Sequence, residues 1–207
     1  MSVVGDDAPG RRRAAAIAGH HGDATAARAL VADDDPGVRA TALAALARAG
    51  ALTGEEVTAG LADPDPSVRR RACEVAAGPG TPRAGWTLTD VLGDDDPTVV
   101  EVAAWAAGEI DPPEPRTVAT LAALATGHED GLVREAATAA LGAVGDPAGL
   151  AAVLVACTDK ATVRRRAVLA LAAFDGAEVE AALRGAATDR DRQVRQAAED
   201  LLAGWGA

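Results

Sequence analysis

One phrase recurs along this chain and limits what it can fold into: an acidic turn, a valine, usually an arginine directly after it, and an alanine four positions after the valine. The phrase appears six times, anchored on Val38, Val68, Val99, Val133, Val163 and Val194, at spacings of 30, 31, 34, 30 and 31 residues. The longest interval holds the run Asp111-Pro112-Pro113-Glu114-Pro115, which reads as a loop insertion. A seventh, partial copy opens the chain at Gly10-Arg11-Arg12-Arg13-Ala14 and matches Val68-Arg69-Arg70-Arg71-Ala72. A fixed period of this length marks a stack of supersecondary units, each burying its apolar face only against its neighbours.

Counted from the valine as position 0, apolar residues fall at positions 0, 4, 7, 8 and 11, the spacing of one face of an α-helix. Position 11 carries Ile110, Val144, Phe174 and Trp205 and reads as inward. An Asp before the valine, as in Asp35-Pro36 and Asp96-Pro97, supplies an N-cap with proline in the first turn. Between copies lies a second, shorter helix, as at Asp23 to Ala32, at Thr53 to Ala62 with a Thr53/Glu56 capping box, and at Asp146 to Cys157. Aromatic residues are only 2% of the chain, so Ala, Leu and Val must fill the interior, which suits helices and not sheets. The expectation is all-α: an α-α superhelix with a capping helix at 6–21 and about six helix pairs. The pairs span about 23–50, 51–80, 81–110, 114–145, 146–174 and 175–206, in one array over 1–207.

The phrase Asp-x-x-Val-Arg-x-x-Ala followed by Ala-Leu-Gly, clearest from Val133 through Arg134, Ala137 and Leu141 to Gly142, resembles the short HEAT-like repeats of the phycobilisome-lyase type. The resemblance covers nearly the whole chain and implies a HEAT-like solenoid. A tetratricopeptide array shares the period but expects aromatic positions that a Tyr-free chain does not supply, and the ankyrin Thr-Pro-Leu-His phrase is missing. In such solenoids the second helix of each pair, helix B, lines the inner, concave surface, and here helix B carries the repeated phrase.

That assignment directs attention to the positions opposite the core. Position 1 carries Arg11, Arg39, Arg69, Arg134, Arg164 and Arg195, and this regular arginine beside a regular turn aspartate reads as a ladder between repeats. The arginines at positions 2 and 3, Arg12, Arg13, Arg70, Arg71, Arg165 and Arg166, are not required by the repeat and are candidates for binding an acidic segment of a partner or a few phosphates. Position 6 adds Trp105 and Leu169, where other copies carry small or polar residues. A central exposed Trp is a common energetic anchor in protein interfaces.

Catalytic chemistry finds little purchase. His20, His21 and His128 lack the helical spacing of a metal site, and the glycines sit mostly at helix ends and not in phosphate-cradling loops. One HEAT-repeat enzyme family, the deoxyhypusine hydroxylases, holds a di-iron centre with His-Glu pairs inside B helices. Here the single His-Glu, His128-Glu129, lies in the turn before Val133, and the corresponding helical position carries Arg134-Glu135. Cys73 and Cys157 lie nearly three repeats apart, too far for a disulfide, and read as packing residues in a reducing compartment.

The net charge of −11 repels polyanions at long range. No stretch has the roughly 18 apolar residues that span a bilayer, and Met1 to Arg13 lacks a signal-peptide core. The reading is a cytoplasmic, non-catalytic protein-binding scaffold without cofactor, metal or membrane, acting as a monomer or as a subunit of a heteromer. Two alternatives are a nucleic-acid-binding HEAT-like protein, against which Glu101 and Glu135 interrupt any basic track, and a lyase- or chaperone-like subunit that handles a cofactor on a client protein.

Overall fold

Most helix starts in this chain are set by short side chains that accept from first-turn N–H groups left without an intrahelical partner. The computed structural model describes residues 7–205, with the backbone alone at Trp205; the expected inward packing of the Trp205 ring, and residue 6 of the expected cap, lie outside the described residues. Twelve α-helices and no strand form among the described residues. They are α1 (Ala8–His21), α2 (Ala24–Arg28), α3 (Pro36–Arg48), α4 (Gly54–Leu61), α5 (Pro66–Ala76), α6 (Pro97–Gly108), α7 (Thr117–Gly127), α8 (Gly131–Val144), α9 (Leu150–Ala156), α10 (Ala161–Ala170), α11 (Ala177–Ala186) and α12 (Arg192–Trp205).

Aspartates cap the B helices as the repeat predicts, except α10, which starts after Lys160 without a side-chain cap. Asp35 accepts from the Val38 N–H before α3, Asp65 from Ser67 before α5, Asp96 from Thr98 before α6 and Asp130 from Leu132 before α8. Pro36, Pro66 and Pro97 each occupy the first turn, where the missing N–H costs nothing. The Thr53/Glu56 capping box forms at α4, with each side chain taking the other residue's backbone N–H. The first helix of the Asp146 repeat begins as a 3₁₀ turn, Pro147–Gly149, before α9.

Two compact units result, Met1–Val91 and Leu92–Ala207. In the first, α1, α3 and α5 stack as B helices with α2 and α4 beside them. In the second, α6, α8, α10 and α12 stack, with α7, α9 and α11 as the A helices. The anchor valines and the alanines at position 4 are all buried. Ile110 and Phe174 at position 11 are buried and Val144 is half-buried. Position 5 is a core position that the sequence pattern does not reveal. It buries Leu43, Cys73, Ala104, Thr138 and Val168, a set too mixed in polarity to read as one apolar stripe. Thr138 is tolerated there because its hydroxyl donates to the Arg134 carbonyl one turn back, at 2.7 Å.

The third repeat departs from the pattern. Its expected first helix is replaced by an irregular stretch after α5 that ends in the 3₁₀ turn Val91–Gly93. Gly78-Pro79-Gly80-Thr81-Pro82 explains this, since each proline removes a donor and pushes the residue before it out of the helical region. The stretch is held within the first unit by the Thr81 hydroxyl on the Val75 carbonyl (2.8 Å), the Thr58 hydroxyl on the Gly85 carbonyl (3.1 Å) and the Trp86 indole N–H on the Pro82 carbonyl (2.7 Å). Leu88, fully buried, serves in place of the missing helix's core residue.

The glycine of the Ala-Leu-Gly phrase has a packing reason. Gly142 faces Ala170 on the next B helix so closely that a Cβ built on it would fall 2.6 Å from the Ala170 Cβ, and Gly108 stands in the same relation to Ala140. Glycine costs about 1 kcal/mol against alanine in a helix, so its presence here marks a backbone approach that a side chain would force apart. Gly142→Val is expected to lower unfolding stability by about 1–3 kcal/mol, measured by urea titration, without loss of helicity in the folded baseline.

Candidate binding surface

The position-1 arginines form the expected ladder. Arg11 Nε and Nη2 donate to the two carboxylate oxygens of Asp33 at 2.6 and 2.9 Å, and Arg39 holds Asp63 the same way at 2.8 and 2.8 Å. In the second unit Arg134 grips Asp159 at 2.6 and 3.0 Å, and Arg164 grips Asp189 at 2.8 and 2.9 Å. Each contact joins a B helix to the turn before the next one. The Nη1 of Arg39, Arg69, Arg134, Arg164 and Arg195 also donates to main-chain carbonyls in the turn before its own helix, for instance Arg39 to Asp33 at 2.8 Å. The turn aspartate in addition accepts a main-chain N–H two residues on, as Asp63 does from Asp65 at 2.9 Å. One guanidinium therefore closes its own turn and grips the next.

The rung between the third and fourth repeats changes both partners at once. α6 carries Val100 where the arginine would stand, and the turn before α8 carries His128 where the aspartate would stand. Val100 is buried, and the His128 imidazole Nδ1 accepts the Asp130 N–H at 3.0 Å, which keeps the turn bond without the charge. His128 is thus a turn residue, and the adjoining Glu129 is exposed. No group of three or more His, Cys, Asp or Glu side chains among the described residues is arranged to hold a metal ion.

The ladder shifts its carboxylates. Asp33 is held down to about 2 by the Arg11 hydrogen bonds, helped by the Asp35 N–H. Asp159 and Asp189 are lowered first by their bonds from Arg134 and Arg164. At Asp63 burial pushes upward, but the Arg39 and backbone hydrogen bonds outweigh it and the net shift is downward. By contrast, burial alone raises the Cys157 thiol to about 11.

The remaining candidate arginines divide between the two units. Arg12, Arg70 and Arg71 line one groove of about 340 Å³ together with Gly37, Ala40, Thr41, Ser67 and Glu74. Arg12 lies 3.6 Å from Asp35, Arg71 pairs with Glu74, and Arg13 and Arg70 are exposed with no ion pair among the described residues. In the second unit Arg165 is tied to Asp191 (3.7 Å) and to the Gln193 amide oxygen, while Arg166 reaches Glu135 on α8 at 3.6 Å. Arg166 and Leu169 flank a second groove of about 370 Å³ floored by Ala139, Gly142, Ala143 and Ala170. Trp105 is 47% exposed and Leu169 51% exposed. They stand on α6 and α10, and α8 packs against both of those helices. These groupings were not legible in the sequence, because they depend on which long side chains lean over which small ones.

Comparison with known proteins places these features in a family. The HEAT-repeat family matches residues 54–142, 88–162 and 118–203, more than half of the chain, so the chain belongs to the HEAT-repeat proteins. Among solved structures it is similar to a designed armadillo repeat protein in complex with the peptide (KR)4, at 17% identity and TM-score 0.58, covering 99% of this chain and 100% of that one. Human deoxyhypusine hydroxylase in complex with glycerol is similar at 21% identity and TM-score 0.51, covering 97% of this chain and 81% of that one. An engineered protein is similar at 20% identity and TM-score 0.57, covering 97% of this chain and 66% of that one. At these identities the likeness shows the α-α superhelix fold and nothing more. Comparison with curated protein sequences finds no match. No helix among the described residues is long and apolar enough to cross a membrane.

The lowered carboxylates set an acid limit. A carboxylate whose folded pKa lies below its unfolded value, about 3.9 for Asp, contributes stability above that value and loses it as pH falls through the folded pKa. Unfolding free energy is therefore expected to fall steadily from about pH 4 to pH 2. Asp189→Asn, which removes the charge, should cost about 1–3 kcal/mol at pH 7 and make that decline shallower, as read by urea titrations across the range.

Proposed function

We propose that this chain is a non-catalytic protein-binding scaffold that presents its partner-contacting side chains on the B-helix face. The observation that carries the reading is the exposure of Trp105 and Leu169 on two B helices separated by α8, whose residue at the same position is only Ala139. Two large apolar side chains standing on either side of a small one form a notched surface into which a partner's side chain inserts with little polar desolvation. Folding alone would not select them, because a position half in water gains little from Trp or Leu.

Several features support the non-catalytic part. The Cys157 thiol is raised and so a poor nucleophile, and the His128 Nδ1 is engaged by a main-chain N–H. The phrase repeats through both units, which supports reading 1–207 as a single array. The designed armadillo protein named above holds a peptide, and a protein partner is the analogous reading here. Arg165 and Arg166 stand on the B helices of the second unit and Arg12, Arg13, Arg70 and Arg71 on those of the first, and each set would meet an acidic segment of that partner.

Affinity capture from source-cell lysate, with wild type beside a Trp105→Ala, Leu169→Ala variant of equal melting temperature, tests the proposal. A client retained by wild type should be lost or weakened by about 30-fold or more in the variant, the scale of a residue worth about 2 kcal/mol at an interface. Equal recovery would move the binding surface elsewhere.

A further inference from the structure

We infer that the groove across α1, α3 and α5 is a recognition site for a phosphorylated serine or threonine side chain on a partner polypeptide. The inference rests on the B-helix face being the binding face and names what its basic groove in the first unit selects.

The groove follows from an alternation of long and small residues across three neighbouring helices. α1 supplies Arg12, α5 supplies Arg70 and Arg71, and the helix between them presents Gly37, Ala40 and Thr41. The small middle helix lets the outer side chains lean inward. Arg12 reaches so far over α3 that a Cβ on Gly37 would fall 1.9 Å from its Nη2. Three guanidinium groups thus line a space of about 340 Å³, large enough for one side chain and its immediate flanks.

Charge decides the ligand class. Glu74 lies in the groove paired to Arg71, and Asp35 lies at its edge 3.6 Å from Arg12. Arg70 is exposed and pairs with nothing among the described residues, and the Arg71 Nε is buried without an acceptor. A single carboxylate entering here would only exchange places with carboxylates already present. A phosphomonoester brings close to two negative charges and three acceptor oxygens, enough to hold Arg70 at full strength beside the guanidinium groups of Arg12 and Arg71. A nucleic-acid backbone fits less well. It needs a continuous cationic track, whereas Asp35 and Glu74 already pair with two of the three arginines in a chain of net charge −11.

The test uses the full chain and three capped pentapeptides, Gly-Ala-X-Ala-Gly, with phosphoserine, glutamate or serine at X. Binding is read from the Arg71 Nε–Hε resonance in ¹H–¹⁵N spectra. The phosphopeptide should shift that resonance saturably and bind at least about tenfold more tightly than the glutamate peptide, with the serine peptide silent. Arg70→Ala, at an exposed and unpaired position, should weaken the phosphopeptide by about tenfold or more without moving the melting temperature, and Arg70→Lys should recover only part of the loss. Equal binding of the phospho and glutamate peptides, or an Arg70→Ala variant that binds like wild type, would overturn the assignment. So would free inorganic phosphate binding as tightly as the phosphopeptide, or a single-stranded RNA oligomer binding more tightly. Trp105→Ala should leave phosphopeptide binding intact. Loss of a client in Trp105→Ala together with indifference to phosphate would sink this inference alone and leave the scaffold reading standing.

Discussion

A repeat array has no central core, so everything depends on how each unit fixes the next, and here a two-pronged arginine–aspartate contact between successive B helices has that task. Its geometry explains why the residues are Arg and Asp and not other ions. The planar guanidinium matches both carboxylate oxygens, and its third nitrogen remains free for the carbonyls of its own turn. The short aspartate side chain keeps the turn tight by taking a main-chain N–H as well. A lysine could not make two parallel bonds, and a glutamate would move the carboxylate away from its turn. The contact sits at the surface edge of a core built almost wholly from Ala, Leu and Val. That core supplies most of the burial but little directional information, since small alanines slide past each other easily.

The junction of the third and fourth repeats shows how a rung can be replaced. Without the arginine, an aspartate at that turn would have lost its cation. His128 instead keeps the N–H bond through its Nδ1 while Val100 joins the core. Gly108 lets α6 and α8 approach closely at the same interface, as Gly142 does between α8 and α10 where the rung is present. The loss of arginine and the loss of aspartate are one change seen from its two ends.

Much of this was legible in the sequence, and the physical reason is periodicity. A valine, an arginine and an alanine recurring at fixed offsets declare the helical face, the ladder and the core, and the structure finds Val38 through Val194 buried and Arg11, Arg39, Arg134 and Arg164 bound to turn aspartates. What escaped is what varies between copies. The missing first helix of the third repeat hides behind a valine spacing of 31, because an irregular stretch of the right length spans the same distance. The core role of position 5 is masked by Thr138 and Cys73. The split of the candidate arginines into an open groove and a set tied down by Asp191 and Glu135 depends on the neighbours of each side chain, which no single repeat specifies.

The most direct test of the ladder as the element that fixes each repeat to the next is a double-mutant cycle on one rung, Arg134→Ala, Asp159→Ala and both together, with unfolding free energies from urea titration. The account predicts a coupling energy of about 1–3 kcal/mol, with the double variant less damaged than the two single losses added. Additivity within about 0.5 kcal/mol would contradict it and leave the alanine-rich core as the sole source of registration.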